Sequence, residues 1–257
     1  MKILKILINY IFKKLGYTIL SNDHKRLEKP GHIEDKILKH LINSQNPICF
    51  DVGGHKGETI QKYIKLFSQS YIYSFEPTKN LYDSLKNYYL KSKNIKIENF
   101  AISDFEGESS FYIQKYQNFN SLNLLQGGKN IEEKVKVTTL DKYCQKNNIQ
   151  KIDLLKIDTQ GNDTKVLKGA EHILKNTKVV ITEITLNNSY GFSNSFLNIE
   201  KYLTGFKLYD IIKKVNHKDE DISHNPHKVG ISKNDFNITG NLSWCNVVYF
   251  NEKFFRK

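Results

Sequence analysis

The sequence predicts an α/β protein, in which a mainly parallel sheet carries helices on both faces. Apolar runs alternate with amphipathic segments between residues 48 and 185, as they do when crossover helices join parallel strands. In addition, a glycine-rich turn at residues 53–57 connects the first apolar run to a helix-like segment. The 257 residues, 39% of them hydrophobic, are enough for the core of one such domain.

The alternating part of the chain contains five predicted strands and four predicted helices. The strands are placed at 48–52, 71–75, 95–100, 152–157 and 178–184. The helices are placed at 58–67, 80–91, 139–147 and 162–174, and Gly169 is expected to bend or end the last of them. Two alternating runs, 108–113 and 134–138, predict a β-hairpin insert whose polar loop, 116–130, is a candidate cover for a site.

The two ends of the chain extend this central part. Residues 32–43 repeat apolar side chains at helical spacing, and we assign residues 1–45 to an N-terminal helical extension of the domain at 46–257. Runs at 206–212 and 245–250 predict two further strands. The polar stretch between them, 215–240, predicts a long surface loop that could contact a substrate.

The first 20 residues combine lysines with a short apolar run. The run at 6–12 is too short to cross a bilayer, and the lysines that follow it argue against a signal peptide. A basic amphipathic helix of this kind lies on a membrane surface, docks a partner or packs on its own domain. We therefore expect a cytoplasmic protein, with peripheral membrane contact as an open alternative.

The net charge and the cysteine content indicate which kinds of binding partner and metal site this protein could have. The formal net charge of +12 indicates either an anionic partner or dispersed lysines on a solvated surface. Only two arginines and no nucleic-acid-binding motif are present, so no nucleic-acid partner is expected. Cys49, Cys144 and Cys245 are widely spaced, which predicts core residues in a reducing compartment and no metal site. The histidines His217, His224 and His227 also lack a metal-ligand spacing.

The acid that precedes the glycines narrows the kind of cofactor. Asp51 ends the first predicted strand, where ligands bind in open α/β sheets. The turn departs from G-x-G-x-x-G, and an acid at this position repels a pyrophosphate. A carboxylate suits a cationic or amino-bearing group, and S-adenosylmethionine carries both a sulfonium and an α-amino group. The pattern favours this cofactor over NAD, with the candidate contacts Asp51, Gly53, Gly54, His55, Gly57 and Thr59.

Two later segments complete the predicted cofactor site. Glu76 ends the second strand before Pro77 and is placed to accept hydrogen bonds from both ribose hydroxyls. The chain after the third strand is placed beside the adenine. There, Ala101 and Ile102 could flank the ring, and Ser103 with Asp104 could bind its edge.

Several motifs in one order resemble the FkbM family of S-adenosylmethionine-dependent O-methyltransferases. They cover residues 48–186 and consist of the segments 51–59, 75–77, 101–107, 139–141, 153–161 and 166–170. The resemblance implies a Rossmann-like class I methyltransferase fold, with seven strands of which the last is reversed. It also implies methyl transfer to a hydroxyl, often on a sugar or a polyketide.

The chain departs from the family pattern at two places. Gly54 and His55 replace the usual Ala-Asn pair, and we expect His55 to lie beside the cofactor. Gln160 and Asp163 replace the usual two glutamates, so we carry over no metal or general-base role for either position.

Two acids remain as candidates for the catalytic step. Asp158 follows the fourth strand, and Glu183 is placed after the fifth. If both face one crevice, either could orient or deprotonate an acceptor hydroxyl. The alternative for each is that it only holds a loop or a helix N-terminus.

We therefore expect an S-adenosylmethionine-dependent O-methyltransferase acting on a saccharide hydroxyl in bacterial surface polysaccharide biosynthesis. An enzyme acting on a lipid, polyketide or peptide hydroxyl is the alternative within the same chemistry. A non-catalytic protein that binds cofactor or glycan is the alternative outside it. The residues do not distinguish the acceptors.

Overall fold

The computed structural model describes residues 32–113, 120–122, 131–185, 194–212 and 244–255. The predicted helix within residues 1–20, most of the 116–130 loop and the 215–240 loop with its three histidines lie outside these ranges. None of the helices in the described ranges has the length and apolar character of a membrane span.

The predicted strands and helices between residues 48 and 185 are present in the predicted order. The strands are β1 Ile48–Val52, β2 Tyr71–Phe75, β3 Ile95–Glu98, β4 Ala101–Ile102, β5 Gly107–Ile113, β6 Ile131–Thr138, β7 Ile152–Ile157, β8 Thr177–Thr185, β9 Phe206–Ile212 and β10 Trp244–Asn251. The helices are α1 His32–Leu41, α2 Glu58–Leu66, α3 Lys79–Tyr88, α4 Leu140–Lys146, α5 Asp163–Lys168, α6 Glu171–Leu174 and α7 Phe196–Glu200.

Seven strands form one sheet in the order β3-β2-β1-β7-β8-β10-β9. Neighbours from β3 to β8 pair in parallel, whereas β10 runs antiparallel to both β8 and β9. This confirms the mainly parallel seven-stranded sheet with a reversed last strand. Because the chain leaves β1 on one side and returns to pair with it through β7 on the other, a crevice opens between their carboxyl ends.

Helices cover both faces of this sheet, as predicted. Alternate residues of β1 point to opposite faces, so Cys49 joins one core and Phe50 the other. The first core packs against α1, α2 and α3, and the second packs against α4, α5 and α6. All three cysteines are free and buried.

Helix α1 is part of the domain core. Leu38 and Leu41 are almost completely buried against the same sheet face as Cys49. The described part of the predicted extension at 1–45 therefore packs on the domain and shares its core.

The predicted hairpin insert is present as the antiparallel pair β5 and β6. It belongs to a separate three-stranded sheet, because β4 pairs in parallel with β6. The predicted third strand, 95–100, accordingly ends earlier, at Glu98. The Asn99 side chain donates to the carbonyls of Glu76 and Pro77, at 2.9 and 2.8 Å, and this turns the chain from one sheet to the other.

Gly169 divides the predicted helix 162–174 into α5 and α6, as expected. A Cβ atom at this position would lie 2.1 Å from the Ser103 carbonyl oxygen, which belongs to the chain just after β4. The absence of a side chain therefore lets the helix junction approach the backbone that leads into the insert.

We predict that Gly169→Ala destabilises the protein by about 1–3 kcal/mol, because the added methyl group must displace a backbone carbonyl. Denaturant unfolding of the variant measures this cost. Glu171→Ala, at an exposed position on α6, is the control and should unfold like the unaltered chain. Equal stability of the two variants would contradict the tight contact at Gly169.

Candidate active site

A cavity of about 410 Å³ lies at the carboxyl ends of β1, β2 and β7. Its volume falls within the range of small-molecule sites. Eight of the predicted site residues line it, namely Gly53, His55, Thr59, Glu76, Pro77, Ala101, Ile102 and Asp158. Five others are not among the lining residues, namely Asp51, Gly54, Gly57, Ser103 and Glu183.

The turn after β1 is held between the ends of two neighbouring strands. The backbone N–H groups of Gly53 and Gly54 both donate to the Phe75 carbonyl of β2, at 3.1 and 3.0 Å. Gly53 has a φ of +99°, and a Cβ atom there would lie 2.1 Å from the Asp158 carbonyl oxygen at the end of β7. Glycine is thus required by the protein's own backbone at this point. A Cβ atom at Gly57 would lie 2.7 Å from Leu85 Cδ2 of α3, so this glycine lets α3 pack closely against the turn.

Glu76 braces the same turn from the second strand. It is 4% exposed, and its Oε2 accepts from the His55 backbone N–H at 2.8 Å. Its Oε1 accepts from the backbone N–H and the hydroxyl of Thr78. Burial raises the pKa of Glu76, and these hydrogen bonds oppose that rise. A carboxylate accepts about four hydrogen bonds, so capacity remains for a ligand hydroxyl, and the ribose contact stays a prediction.

Asp51, at the end of β1, is fully buried and is not among the residues that line the cavity. Its Oδ2 accepts from the Ser74 hydroxyl at 3.2 Å, and its Oδ1 lies 3.8 Å from Lys156 Nζ. Burial raises the pKa of Asp51 to about 6, because the cost of desolvating the carboxylate outweighs the attraction of the lysine. The cation beside Asp51 is therefore Lys156 of the same chain, and direct contact with a cofactor stays a prediction.

Asp158 is the first residue after β7, as predicted, and its carboxylate is held from two sides. Gln160 Nε2 donates to Oδ1 at 2.8 Å, and Lys156 Nζ donates to Oδ2 at 3.1 Å. Burial acts to lower the pKa of Lys156, but the carboxylates of Asp158 and Asp51 raise it well above its usual value. The lysine thus remains charged and fixes the orientation of Asp158 at the cavity wall.

Glu183 lies inside β8, two residues before its end, and not after the strand as predicted. The strand continues because β10 pairs with it as far as Thr185. Glu183 is 7% exposed and pairs in register with Asn246, which lines the cavity. Among the described residues, it is therefore Asn246 and not Glu183 that lines the cavity beside β8. The predicted catalytic role of Glu183 has no geometric support.

Asp163 has a structural role in the loop that follows β7. It is fully buried and accepts from the backbone and hydroxyl of Thr159, and from Thr182 and the Glu183 backbone of β8. Four hydrogen bonds occupy its acceptor capacity, so it is poorly suited to act as a base. The described residues contain no group of three or more potential metal ligands.

The predicted adenine region is only partly at the cavity. Ala101 and Ile102 line it, but Ser103 is fully buried and donates its backbone N–H to Thr138. Asp104 forms an ion pair with Lys168 at 2.8 Å. The predicted contact of Ser103 with the adenine edge therefore has no geometric support, and that of Asp104 stays a prediction.

Three residues of the insert line the cavity and were missed, namely Phe111, Asn120 and Leu122. Phe111 packs with Ala101 and Leu122, forming an apolar wall. The Ser121 hydroxyl donates to the Gln160 carbonyl at 2.9 Å, which ties the insert to the loop after β7. The alternation of polar and apolar residues in two runs predicted the insert. No local pattern in the sequence showed which of its residues line the cavity.

The cavity is acidic although the chain is basic. Its lining contains four carboxylate side chains, those of Glu34, Glu58, Glu76 and Asp158. The only lysines among the described lining residues are Lys62 and Lys156. Glu34 and Lys62, from α1 and α2, were also missed, since their approach depends on the packing of two helices. A net negative pocket within a chain of net charge +12 suits a ligand that carries positive charge.

Comparisons with known proteins agree with this arrangement. The family described as Methyltransferase FkbM domain matches residues 51–210, which is more than half of the chain. The 2-O-methyltransferase NoeI of Sinorhizobium fredii (strain NBRC 101917 / NGR234) is 21% identical over 183 residues, covering 65% of this chain and 75% of NoeI.

Solved structures also align with the chain. An rRNA methylase from Streptococcus thermophilus aligns with a TM-score of 0.47 and 11% identity, over 88% of this chain and 98% of that one. TYW2 of M. jannaschii, in complex with AdoMet, aligns with a TM-score of 0.42 and 13% identity, over 88% and 77%. With TM-scores below 0.5, neither alignment bears on what this chain does.

The family match contains the turn after β1, Glu76 and Asp158, which are the residues that shape the cavity. The chain belongs to the FkbM methyltransferase family and is an S-adenosylmethionine-dependent methyltransferase.

Proposed function

We propose that this enzyme methylates a hydroxyl group of a saccharide, in the biosynthesis of a bacterial surface polysaccharide. The observation that carries the proposal is the Asp158 carboxylate, fixed by Lys156 and Gln160 at the wall of the cavity. A hydroxyl acceptor is further supported by the relative NoeI, whose name describes it as a 2-O-methyltransferase.

The residues present fit the methyl donor. Glu76 offers acceptor capacity for a ribose hydroxyl, and His55 Nε2 is buried without a hydrogen-bond partner among the described residues. The acidic lining suits the positive charge of a sulfonium. Bound here, S-adenosylmethionine supplies a methyl group on a positively charged sulfur, so the protein must mainly align the acceptor oxygen.

Asp158 is placed to orient that oxygen. Its two oxygens already accept from Gln160 and Lys156, and each retains acceptor capacity for the hydroxyl of an acceptor. When Asp158 accepts this hydrogen bond, a lone pair of the acceptor oxygen is directed toward the methyl group. The carboxylate then takes up the hydroxyl proton late in the transfer.

The polarity of the walls favours a saccharide over a lipid or polyketide. The apolar residues Phe111, Ala101 and Leu122 cluster on the side predicted to hold the adenine. The side formed by β7 and β10 carries Lys156, Gln160 and Asn246, which donate and accept hydrogen bonds. An acceptor with several hydroxyls uses such groups, whereas an alkyl chain does not.

The proposal includes a cytoplasmic enzyme with a glycan acceptor and no nucleic-acid partner. Three free and buried cysteines support a reducing compartment. Peripheral membrane contact through residues 1–20 also remains a proposal, since those residues lie outside the described ranges.

The acceptor class is tested by transfer of label from methyl-tritiated S-adenosylmethionine. The panel consists of nucleotide sugars and methyl glycosides, long-chain alcohols, and peptides that contain serine, threonine and tyrosine. We expect label in the saccharides. Label confined to the alcohols or peptides would overturn the saccharide assignment, and label on nitrogen or sulfur would overturn the hydroxyl assignment.

We predict that Glu76→Ala weakens the binding of S-adenosylhomocysteine at least about tenfold, because hydrogen bonds to a charged group are lost. Titration calorimetry measures the affinity. Glu106→Ala, at an exposed position, is the matched control. Affinity equal to that of the control would sink the ribose assignment.

We predict that Asp158→Asn lowers kcat at least about 100-fold on the best acceptor of the panel, because the amide is a far weaker proton acceptor. Affinity for S-adenosylhomocysteine and thermal stability should stay close to those of Asp83→Asn, a control on α3 whose side chain is 46% exposed and lies away from the cavity lining. A kcat equal to that of the control would remove Asp158 from the catalytic step.

A further inference from the structure

The segment that joins α3 to β3 presents two large apolar side chains to solvent. Tyr88 is 76% exposed and Leu90 is 73% exposed. A single exposed apolar side chain needs no explanation, whereas two of them within three residues form a candidate contact surface. The segment leads to the amino end of β3, and the cavity lies at the carboxyl ends of the parallel strands, so this surface is remote from the cavity.

The backbone of this segment is fixed on both sides of the exposed residues. Tyr89, between them, is 7% exposed and packs in the core of the α1–α2 face. The Tyr88 ring stands edge-to-face against the Tyr89 ring, with centroids 4.8 Å apart. Further along, the Asn94 carbonyl accepts from the Ile72 N–H of β2 at 2.8 Å. Tyr88 and Leu90 are therefore held outside the core by a well-anchored chain.

Uncompensated positive charge surrounds the two apolar side chains. Residues 84–97 contain four lysines and no acidic residue. One of these lysines, Lys96, forms an ion pair with Glu98 at 2.8 Å. The other three are exposed and form no ion pair with a carboxylate among the described residues, namely Lys86, Lys91 and Lys93. The segment thus combines apolar side chains with free ammonium groups on one short stretch of chain.

This combination fits an anionic membrane better than it fits other partners. Leucine and tyrosine side chains enter the boundary between lipid headgroups and acyl chains, and lysines are attracted to anionic headgroups. A nucleic acid would use the lysines and stack on Tyr88, but it would leave Leu90 in water. A second copy of the chain, docked symmetrically through the same surface, would bring its own lysines against these and repel them.

We propose that the surface formed by Tyr88, Leu90, Lys86, Lys91 and Lys93 binds the surface of an anionic lipid bilayer. The lysines attract the protein to the headgroups, and the two apolar side chains insert among them. None of these five residues lines the cavity, so docking leaves the cavity open to the aqueous side. This membrane contact is separate from the one proposed for residues 1–20 and does not depend on the acceptor or the cofactor.

Sedimentation of the full chain with lipid vesicles tests this contact. One set of vesicles consists of phosphatidylcholine alone, and the other contains phosphatidylglycerol as well. We expect the protein to sediment with the mixed vesicles and not with the neutral ones. Binding should weaken as salt is added, because the screening length falls from about 10 Å at 0.1 M to about 3 Å at 1 M.

Variants of the surface locate the binding. Leu90→Ser should lower the affinity for mixed vesicles at least about fivefold, because it removes an inserted apolar side chain. Lys91→Ala combined with Lys93→Ala should lower it about 25-fold, at about fivefold for each lysine.

The matched controls lie on the opposite face of the sheet. Leu197→Ser changes a leucine on α7 that is 81% exposed. Lys165→Ala combined with Lys201→Ala removes two exposed lysines, on α5 and just after α7, and therefore the same net charge. Both controls should bind within about twofold of the unaltered chain. All variants should unfold at the temperature of the unaltered chain, because each replaced side chain is exposed.

Each outcome decides for or against the lipid surface. Losses in Leu90→Ser and in the Lys91–Lys93 variant, with unchanged controls, support it. Three results would overturn it: no sedimentation of the unaltered chain with mixed vesicles, equal binding by the variants of the surface, or a loss confined to the lysine variant, which indicates a polyanion without insertion. A dimer in light scattering that Leu90→Ser dissociates would also overturn it, since a second copy would then occupy the surface.

Discussion

The backbone of Gly53 passes so close to the end of β7 that no side chain fits between them, and the site is built around this approach. The Asp158 carbonyl would lie 2.1 Å from a Cβ atom at Gly53, and the Asp158 N–H donates to the Val52 carbonyl at 2.9 Å. Strands β1 and β7 thus stay hydrogen-bonded up to their carboxyl ends, where the chain leaves them in opposite directions. As a result Asp158, which begins the next loop, lies directly beside the glycine turn, and Glu76 fixes that turn from the other side.

This geometry concentrates charge at the division of the sheet. Lys156 lies between two carboxylates, 3.8 Å from Asp51 Oδ1 and 3.1 Å from Asp158 Oδ2. Desolvation still dominates at Asp51, as its pKa of about 6 indicates, so a single lysine does not compensate its burial. A second cation close to Asp51 would lower the cost of keeping its carboxylate ionised.

The part of the site that could be predicted from the sequence is the part that depends on local patterns. Gly53, Glu76 and Asp158 each follow an apolar run directly. Their place at a strand end can therefore be predicted without knowing how the rest of the chain folds. Glu183 belongs to the predicted strand 178–184 itself, and the sequence did not show that its register partner in β10, Asn246, would line the cavity instead. Glu34 and Lys62 were missed because their approach at the cavity depends on the packing of α1 against α2.

Two buried polar atoms at the cavity have no hydrogen-bond partner among the described residues. They are His55 Nε2 and the Tyr63 hydroxyl, and both residues line the cavity. Each such atom costs stability while it stays unpaired. His55 lies in the turn after β1 and Tyr63 on α2. Stability lost in the empty cavity can thus be regained when the groups find partners on the cofactor, which makes the folded state more stable in the presence of its ligand.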